Sequence, residues 1–193
     1  MNKKKIAFAM CASFCSLRKA LDEAKKLSKI YDLIPIMSFN SSKIDTRFGK
    51  AKEIKSEFES ICNKKVITTI EEAEPIGPKN MCDLLIICPC TSNTLGKICN
   101  AITDTPVTMS VKSQLRVQKP VVISFASNDA LGFSLQNIAK GINSKNIYFT
   151  PMIQDDPTSK PNSLVADFSL VPKTIEYALN QKQIYPIITM NKT

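Results

Sequence analysis

The chain has no histidine and no tryptophan, only 5 glycines in 193 residues, and just three arginines, at 18, 47 and 116. Each shortage closes a class of chemistry. Without imidazole there is no Ser–His or Cys–His nucleophile, no ordinary zinc site and no neutral-pH proton shuttle of the usual kind. The glycines stand at 49, 77, 96, 132 and 141, so neither G-x-G-x-x-G nor G-x-x-x-x-G-K-[ST] can be drawn through them. Long apolar runs are missing too. Nothing approaches the roughly 18 to 20 residues that cross a bilayer, and the lysines at 3 to 5 lead into an apolar stretch too short for a secretory signal. The expectation is a cytoplasmic protein with no membrane partner.

Hydrophobic residues make up 44% and charged residues 22%, which places the chain in the globular range and excludes disorder for most of its length. At about 150 residues per domain, the length implies one domain over residues 1–193. The 7 cysteines are odd in number and scattered, so reduced thiols are expected rather than a disulfide framework, and no metal site is expected. The net charge of +9 comes from lysines spread along the whole chain. That distribution argues against a nucleic-acid partner and for a solvated surface that attracts small anions.

Apolar runs at Ile6–Met10, Leu33–Met37, Leu84–Cys88, Pro120–Ser124 and Ile147–Phe149 read as strands, with a shorter one near Val66 and Ile67. Helical spacing lies between them: Leu17, Leu21, Ala24, Leu27 and Ile30; then Ala51–Cys62; then Leu95, Ile98, Cys99 and Ile102. A further helix starts at Thr105–Pro106, another spans Ala130–Lys140, and a last one spans Leu164–Leu179. Residues 74–78 read as a loop, and the run at 84–88 should stop at Pro89. Strands alternating with helices make a doubly wound, mostly parallel α/β sheet, a flavodoxin- or Rossmann-like three-layer sandwich. Residues 155–163 form a polar loop and 184–193 a C-terminal tail, which either covers its own sheet edge or docks on a neighbouring subunit.

In such sheets ligands bind beyond the carboxyl ends of the strands, where the strand order reverses. That rule nominates the turns 11–16, 38–42, 89–94 and 124–129. All are rich in hydroxyls and amides, and two lead directly into helices whose first N–H groups suit a phosphate.

The segment Pro89-Cys90-Thr91-Ser92-Asn93-Thr94-Leu95-Gly96-Lys97 resembles the P-x-S-x-N-T signature of the flavoprotein family that includes phosphopantothenoylcysteine decarboxylase and the UbiX-type enzymes. Thr46-Arg47-Phe48-Gly49, Glu74-Pro75-Ile76-Gly77-Pro78, Asn128-Asp129-Ala130-Leu131-Gly132, Gln154-Asp155-Asp156-Pro157 and Lys160-Pro161-Asn162-Ser163-Leu164-Val165-Ala166 are similar to the dipicolinate synthase B-subunit branch of that family. The resemblance implies a flavodoxin-like fold, a homo-oligomer and bound flavin mononucleotide (FMN). It further implies a partner, the dipicolinate synthase A-subunit, which brings NAD(P). Together they would oxidise dihydrodipicolinate, a small dicarboxylate, during sporulation. Two other readings stand beside it: a non-catalytic FMN-binding assembly subunit, and a flavin-dependent decarboxylase, which the missing histidine argues against.

Carried over by position, Ser13, Ser38, Thr91, Ser92 and Asn93 would hold the flavin phosphate and ribityl chain, with Cys11 and Asn128 from the same turns beside the cofactor. Ala12 stands where many relatives have glycine. A dicarboxylate calls for cations, which nominates Arg47 and Arg116, with Lys160 and Asn162 closing over it from the polar loop. Asp129 is the candidate base, or else a helix cap. Cys90 is a candidate catalytic thiol, or else a packed one.

Overall fold

The computed structural model describes residues 3–189. Five parallel strands form its centre: β1 (Lys5–Met10), β2 (Asp32–Met37), β3 (Leu84–Cys90), β4 (Val121–Ser127) and β5 (Ile147–Phe149). They lie in the order β2-β1-β3-β4-β5. Every residue of β3 is buried, which is why its run is apolar without alternation: a central strand has no solvent face. Along β1 the side chains divide by parity. Ile6, Phe8 and Met10 join one core; Ala7, Ala9 and Cys11 join the other.

The first core is closed by α1 (Leu17–Leu27), α3 (Ala51–Cys62) and α8 (Val171–Leu179). Leu17, Ala20, Leu21, Ala24 and Leu27 make the buried stripe of α1, and Phe58 of α3 meets Phe8 edge-on with ring centroids 5.8 Å apart. Such a ring pair contributes about 1 kcal/mol beyond its burial. The second core lies under α4 (Ile70–Ala73), α5 (Ser92–Cys99), α6 (Pro106–Arg116) and α7 (Leu135–Ile142). A short helix, α2 (Phe39–Lys43), follows β2 directly. Helix α6 starts as its sequence directs: the Thr105 side chain accepts from the Thr108 N–H, Thr108 Oγ1 accepts from the Thr105 N–H, and Pro106 takes the first turn.

Several boundaries differ from expectation, each for a tertiary reason. Strand β3 runs through Pro89 to Cys90; the ladder to β4 changes register between Ile87 and Cys90, which absorbs the donor that proline lacks. Val66 and Ile67 make one bridge, Ile36 to Ile67, rather than a strand. Residues 74–76 are a 3-10 turn continuing α4, and Gly77 is required there: a Cβ would lie 1.9 Å from the Ser113 carbonyl oxygen of α6. Helix α7 begins only at Leu135, because residues 128–134 turn along the rim of the sheet first.

The expected helix over 164–179 is three elements. Residues Leu164–Ala166 form β7, antiparallel to the end of β4 and to β6 (Met152–Ile153); a 3-10 turn, Phe168–Leu170, then leads into the α-helix 171–179. The tail packs on its own molecule: Ile184 is buried and β8 (Ile188–Thr189) lies parallel to β6. Its last four positions, 190–193, lie outside the described residues.

Candidate functional site

The strand order reverses between β1 and β3, so their following turns leave in opposite directions and open a crevice at the carboxyl rim. Short hydrogen bonds tie the turns together. Ser38 caps α2 by accepting from the Ser41 N–H at 3.2 Å, and Ser41 Oγ donates to the Met10 carbonyl at 2.9 Å, joining the ends of β2 and β1. Thr91 caps α5 by accepting from the Thr94 N–H at 3.3 Å, and Thr94 Oγ1 donates to Cys11 Sγ at 3.3 Å, joining β3 to β1. Ser92 Oγ donates to Ser127 Oγ, joining β3 to β4. The hydroxyls are thus held from below, as a ligand cradle needs.

Two adjoining cavities open on this rim. One of about 190 Å³ is lined by Ser38, Asn40, Thr91, Asn93, Lys97 and Asp104 among others. The second, about 540 Å³, is lined by Ser13, Ser92, Asn93, Asn128, Arg47 and Lys160 together with Asp155. Ala12, Thr91 and Asn93 form part of both walls. The fold therefore brings together Ser13, Ser38, Thr91, Ser92, Asn93, Asn128, Arg47 and Lys160, residues up to 147 positions apart in sequence (160 − 13).

The charges on this rim are few. Lys97 Nζ reaches both Asp104 carboxylate oxygens, at 2.7 and 2.9 Å. The Arg47 guanidinium stacks over Phe48, 4.9 Å from the ring centroid. Lys160 Nζ lies 3.4 Å from Asp155. Burial raises the Asp155 carboxyl, but the Ser163 hydrogen bond and the Lys160 charge together outweigh it and hold the group below its ordinary range. Loop 154–163 is tied to itself through Lys160 N–H to the Asp156 carbonyl, Ser163 N–H to the Lys160 carbonyl and Gln154 Nε2 to the Pro161 carbonyl, so it is a fixed wall rather than a free flap.

Five expectations need correction. Cys90 is fully buried and lines neither cavity; burial, the largest influence, raises its thiol well above the ordinary value, so it is a packed neutral group. Cys11 is buried as well, its thiol pushed up to about 11 by desolvation, and its role is to accept from Thr94 under the floor. Arg116 ends α6 near the opposite rim, paired with Glu74 at 3.2 Å and lining a separate apolar groove, because α6 leads back to the start of β4. Asp129 and Asn162 line a neighbouring open pocket with Gly132, Phe133 and Gln136, outside both cavities. Asp129 caps no helix either: α7 is preceded by Ser134, which donates to the Asp129 carboxylate at 3.3 Å.

Asn40, Ser127 and the Lys97–Asp104 pair also belong to the rim and were not singled out from sequence. Lys97 and Asp104 sit seven apart across the end of α5, a spacing that shows as a pair only once the chain turns there. Among the described residues no group of three or more His, Cys, Asp or Glu is placed to hold a metal, and no helix is long and apolar enough to cross a membrane.

Comparison with known proteins agrees with this geometry. The flavoprotein family model matches residues 1–160. The dipicolinate synthase B-subunit of Bacillus subtilis (strain 168) is 39% identical over 192 residues, covering 99% of this chain and 96% of the relative. The crystal structure of the dipicolinate synthase B-subunit from Bacillus halodurans superposes with a TM-score of 0.88 at 38% identity, over 98% of each chain. AnUbiX, solved in complex with FMN and dimethylallyl pyrophosphate, matches with a TM-score of 0.64 at 16% identity over 78% of each chain, a likeness of fold alone. With its hydroxyl-lined crevice at the β1/β3 reversal, this chain belongs to the flavoprotein family, in the branch of the dipicolinate synthase B-subunits.

Proposed function

We propose that this chain is an FMN-binding subunit that works with a separate A-subunit to oxidise dihydrodipicolinate to dipicolinate in a sporulating cytoplasm. The observation that carries the reading is the convergence of Ser13, Ser38, Thr91, Ser92, Asn93 and Asn128 on one rim, with Arg47 and Lys160 on the same larger cavity. The donor set fits the cofactor. Hydroxyls, amides and the first N–H groups of α5 suit a phosphate and a polyol chain, and the half-buried Ala12 leaves the crevice open. Bound FMN supplies a two-electron acceptor.

The chain's own residues hold and orient. Arg47 and Lys160 place two cations on the cavity that would receive the ring: Lys160 would take a carboxylate of the substrate and Arg47 would add its positive charge beside the ring, which keeps the reactive C–H in a fixed direction. Oxidation removes a hydride and a proton from the dihydropyridine. The hydride would go to bound flavin or to the nicotinamide that the A-subunit brings, the proton would pass to solvent water, and the aromaticity of the product would drive the step. A second reading, an assembly subunit that holds cofactor and substrate without a base, is favoured by one finding: Cys90 and Asp129 both lie off the cavity.

The test mixes this chain and the purified A-subunit with dihydrodipicolinate and nicotinamide cofactor and follows the aromatic acid by absorbance. Full activity should need both proteins, and this chain should take up added FMN with the ordinary flavin absorption. The full rate from the A-subunit alone would overturn the enzymatic role, and failure to take up FMN would overturn the cofactor.

A further inference from the structure

The larger rim cavity does not end at Lys160. A further compartment of about 420 Å³ shares Cys15, Ser16, Asp155, Lys160 and Val165 with it and continues past them to Lys19, on the first turn of α1. Resting on the dicarboxylate reading above, we infer that Lys19 and Lys160 form a two-point carboxylate clamp in this compartment, Lys160 passing from Asp155 to the ligand as it binds. Lys19 thereby takes the place that Arg116, on the far side of the fold, cannot fill.

Three observations carry this. First, among the described residues Lys19 takes part in no ion pair, and Asp167, the other carboxylate of the compartment, is oriented by Ser169, whose N–H donates to its Oδ1 at 3.0 Å and whose Oγ donates at 2.6 Å, rather than by Lys19. Second, Asp155 divides its oxygens. Oδ1 accepts from the buried Ser163 hydroxyl at 2.5 Å, while Oδ2 receives Lys160 at 3.4 Å. The long contact is the one that yields to an anion, and Asp155 keeps its Ser163 partner afterwards. Third, the backbone at Lys160 is pinned by its N–H to the Asp156 carbonyl at 2.8 Å and its carbonyl to the Ser163 N–H at 3.0 Å. Only the flexible four-carbon stem needs to swing, which a lysine does and a stacked arginine does not.

The experiment compares pyridine-2,6-dicarboxylate with pyridine-2-carboxylate as ligands of the purified full chain, by titration calorimetry at low ionic strength. The chain should prefer the dianion about tenfold, the effect of one partly exposed charge pair of about 1.4 kcal/mol. Lys19→Gln should bring the ratio to about one while leaving the monoanion within about twofold, and Lys19→Arg should keep the preference. Lys160→Gln should weaken both ligands by about tenfold, and Asp155→Asn should tighten both several-fold by removing the competing anion. An unchanged ratio in Lys19→Gln, or no dianion preference in the parent chain, overturns the clamp. FMN uptake by the parent chain and Lys19→Gln separates the two claims. Dianion preference without FMN uptake leaves the clamp standing and removes the flavin reading, and the converse removes the clamp alone.

Discussion

The two ends of the parallel sheet carry similar charges and use them differently. At the amino end, cations are bound back to the protein. Arg116 pairs with Glu74 at 3.2 Å, Lys64 reaches Asp32 and the Leu33 carbonyl, and Lys119 reaches Asn80 and the Cys82 carbonyl; beside them the backbone N–H of Lys5 donates to Asp83 at 2.8 Å. All but the Arg116 pair lie at the entry of a strand. At the carboxyl end Lys97 is paired with Asp104 at 2.7 Å, but Arg47 and Lys19 take part in no ion pair among the described residues, and Lys160 meets Asp155 only at 3.4 Å. The polar atoms there are hydroxyls and amides aimed at one another across turns. Satisfied charges hold a fold together, and partly satisfied ones are what remains for a ligand.

The sharpest way to break this contrast is at the packed end. Gly77→Ala should cost about 2 to 3 kcal/mol in urea unfolding, because a methyl at 1.9 Å from the Ser113 carbonyl oxygen forces α6 away from the 74–76 turn. Ligand affinity at the far rim should stay within about twofold. Near-parent stability would mean that the two segments slide freely and that the amino end is not the rigid base.

At the rim the expected order is reversed. Asn93→Ala, at an exposed position on both cavities, should lower FMN affinity about tenfold while shifting unfolding by under about 0.5 kcal/mol. Arg116→Ala should change neither property by more than a few tenths of a kcal/mol, since its pair is half exposed. If Arg116→Ala weakened dicarboxylate binding as Arg47→Ala does, the division between the two ends would fail.

The smallest effect is a pH dependence. The Asp155 carboxyl is lower in the folded chain than its ordinary 3.8, so its contribution to stability is fully present above about that pH and is lost as pH falls through the folded value. Asp155→Asn should therefore lower stability slightly at neutral pH and flatten the acid limb of the unfolding curve, the two chains converging below about pH 4. An acid limb identical to that of the parent would show that Ser163 and Lys160 do not hold the carboxylate as described.

Much of the architecture was legible because the signals are local. The strands at 6–10, 33–37 and 147–149 read directly from apolar runs, and Thr105–Pro106 announced α6 through cap chemistry. The segment 164–166 was not legible. Leu164, Val165 and Ala166 suit a helix or a strand, and the open edge at the end of β4 decides for the strand. Cys90 reads as a loop residue after a proline, yet it completes a buried strand, so the thiol nearest the signature is sealed from the cavity it borders in sequence. The rim turns, by contrast, were nominated by a topological rule that needs only the order of elements, while the individual hydroxyls within them came from the family resemblance.

Short-range patterning in these 193 residues sufficed to specify an alternating α/β chain with polar turns after its strands. Periodicity and capping act over a few residues, so no partner need be known. Which turns converge, which arginine lies at which end and which lysine stands outside the ion pairs of the described residues were settled only by the crossovers that carry each helix from one rim of the sheet back to the other. Those are contacts between distant segments, and no local preference encodes them.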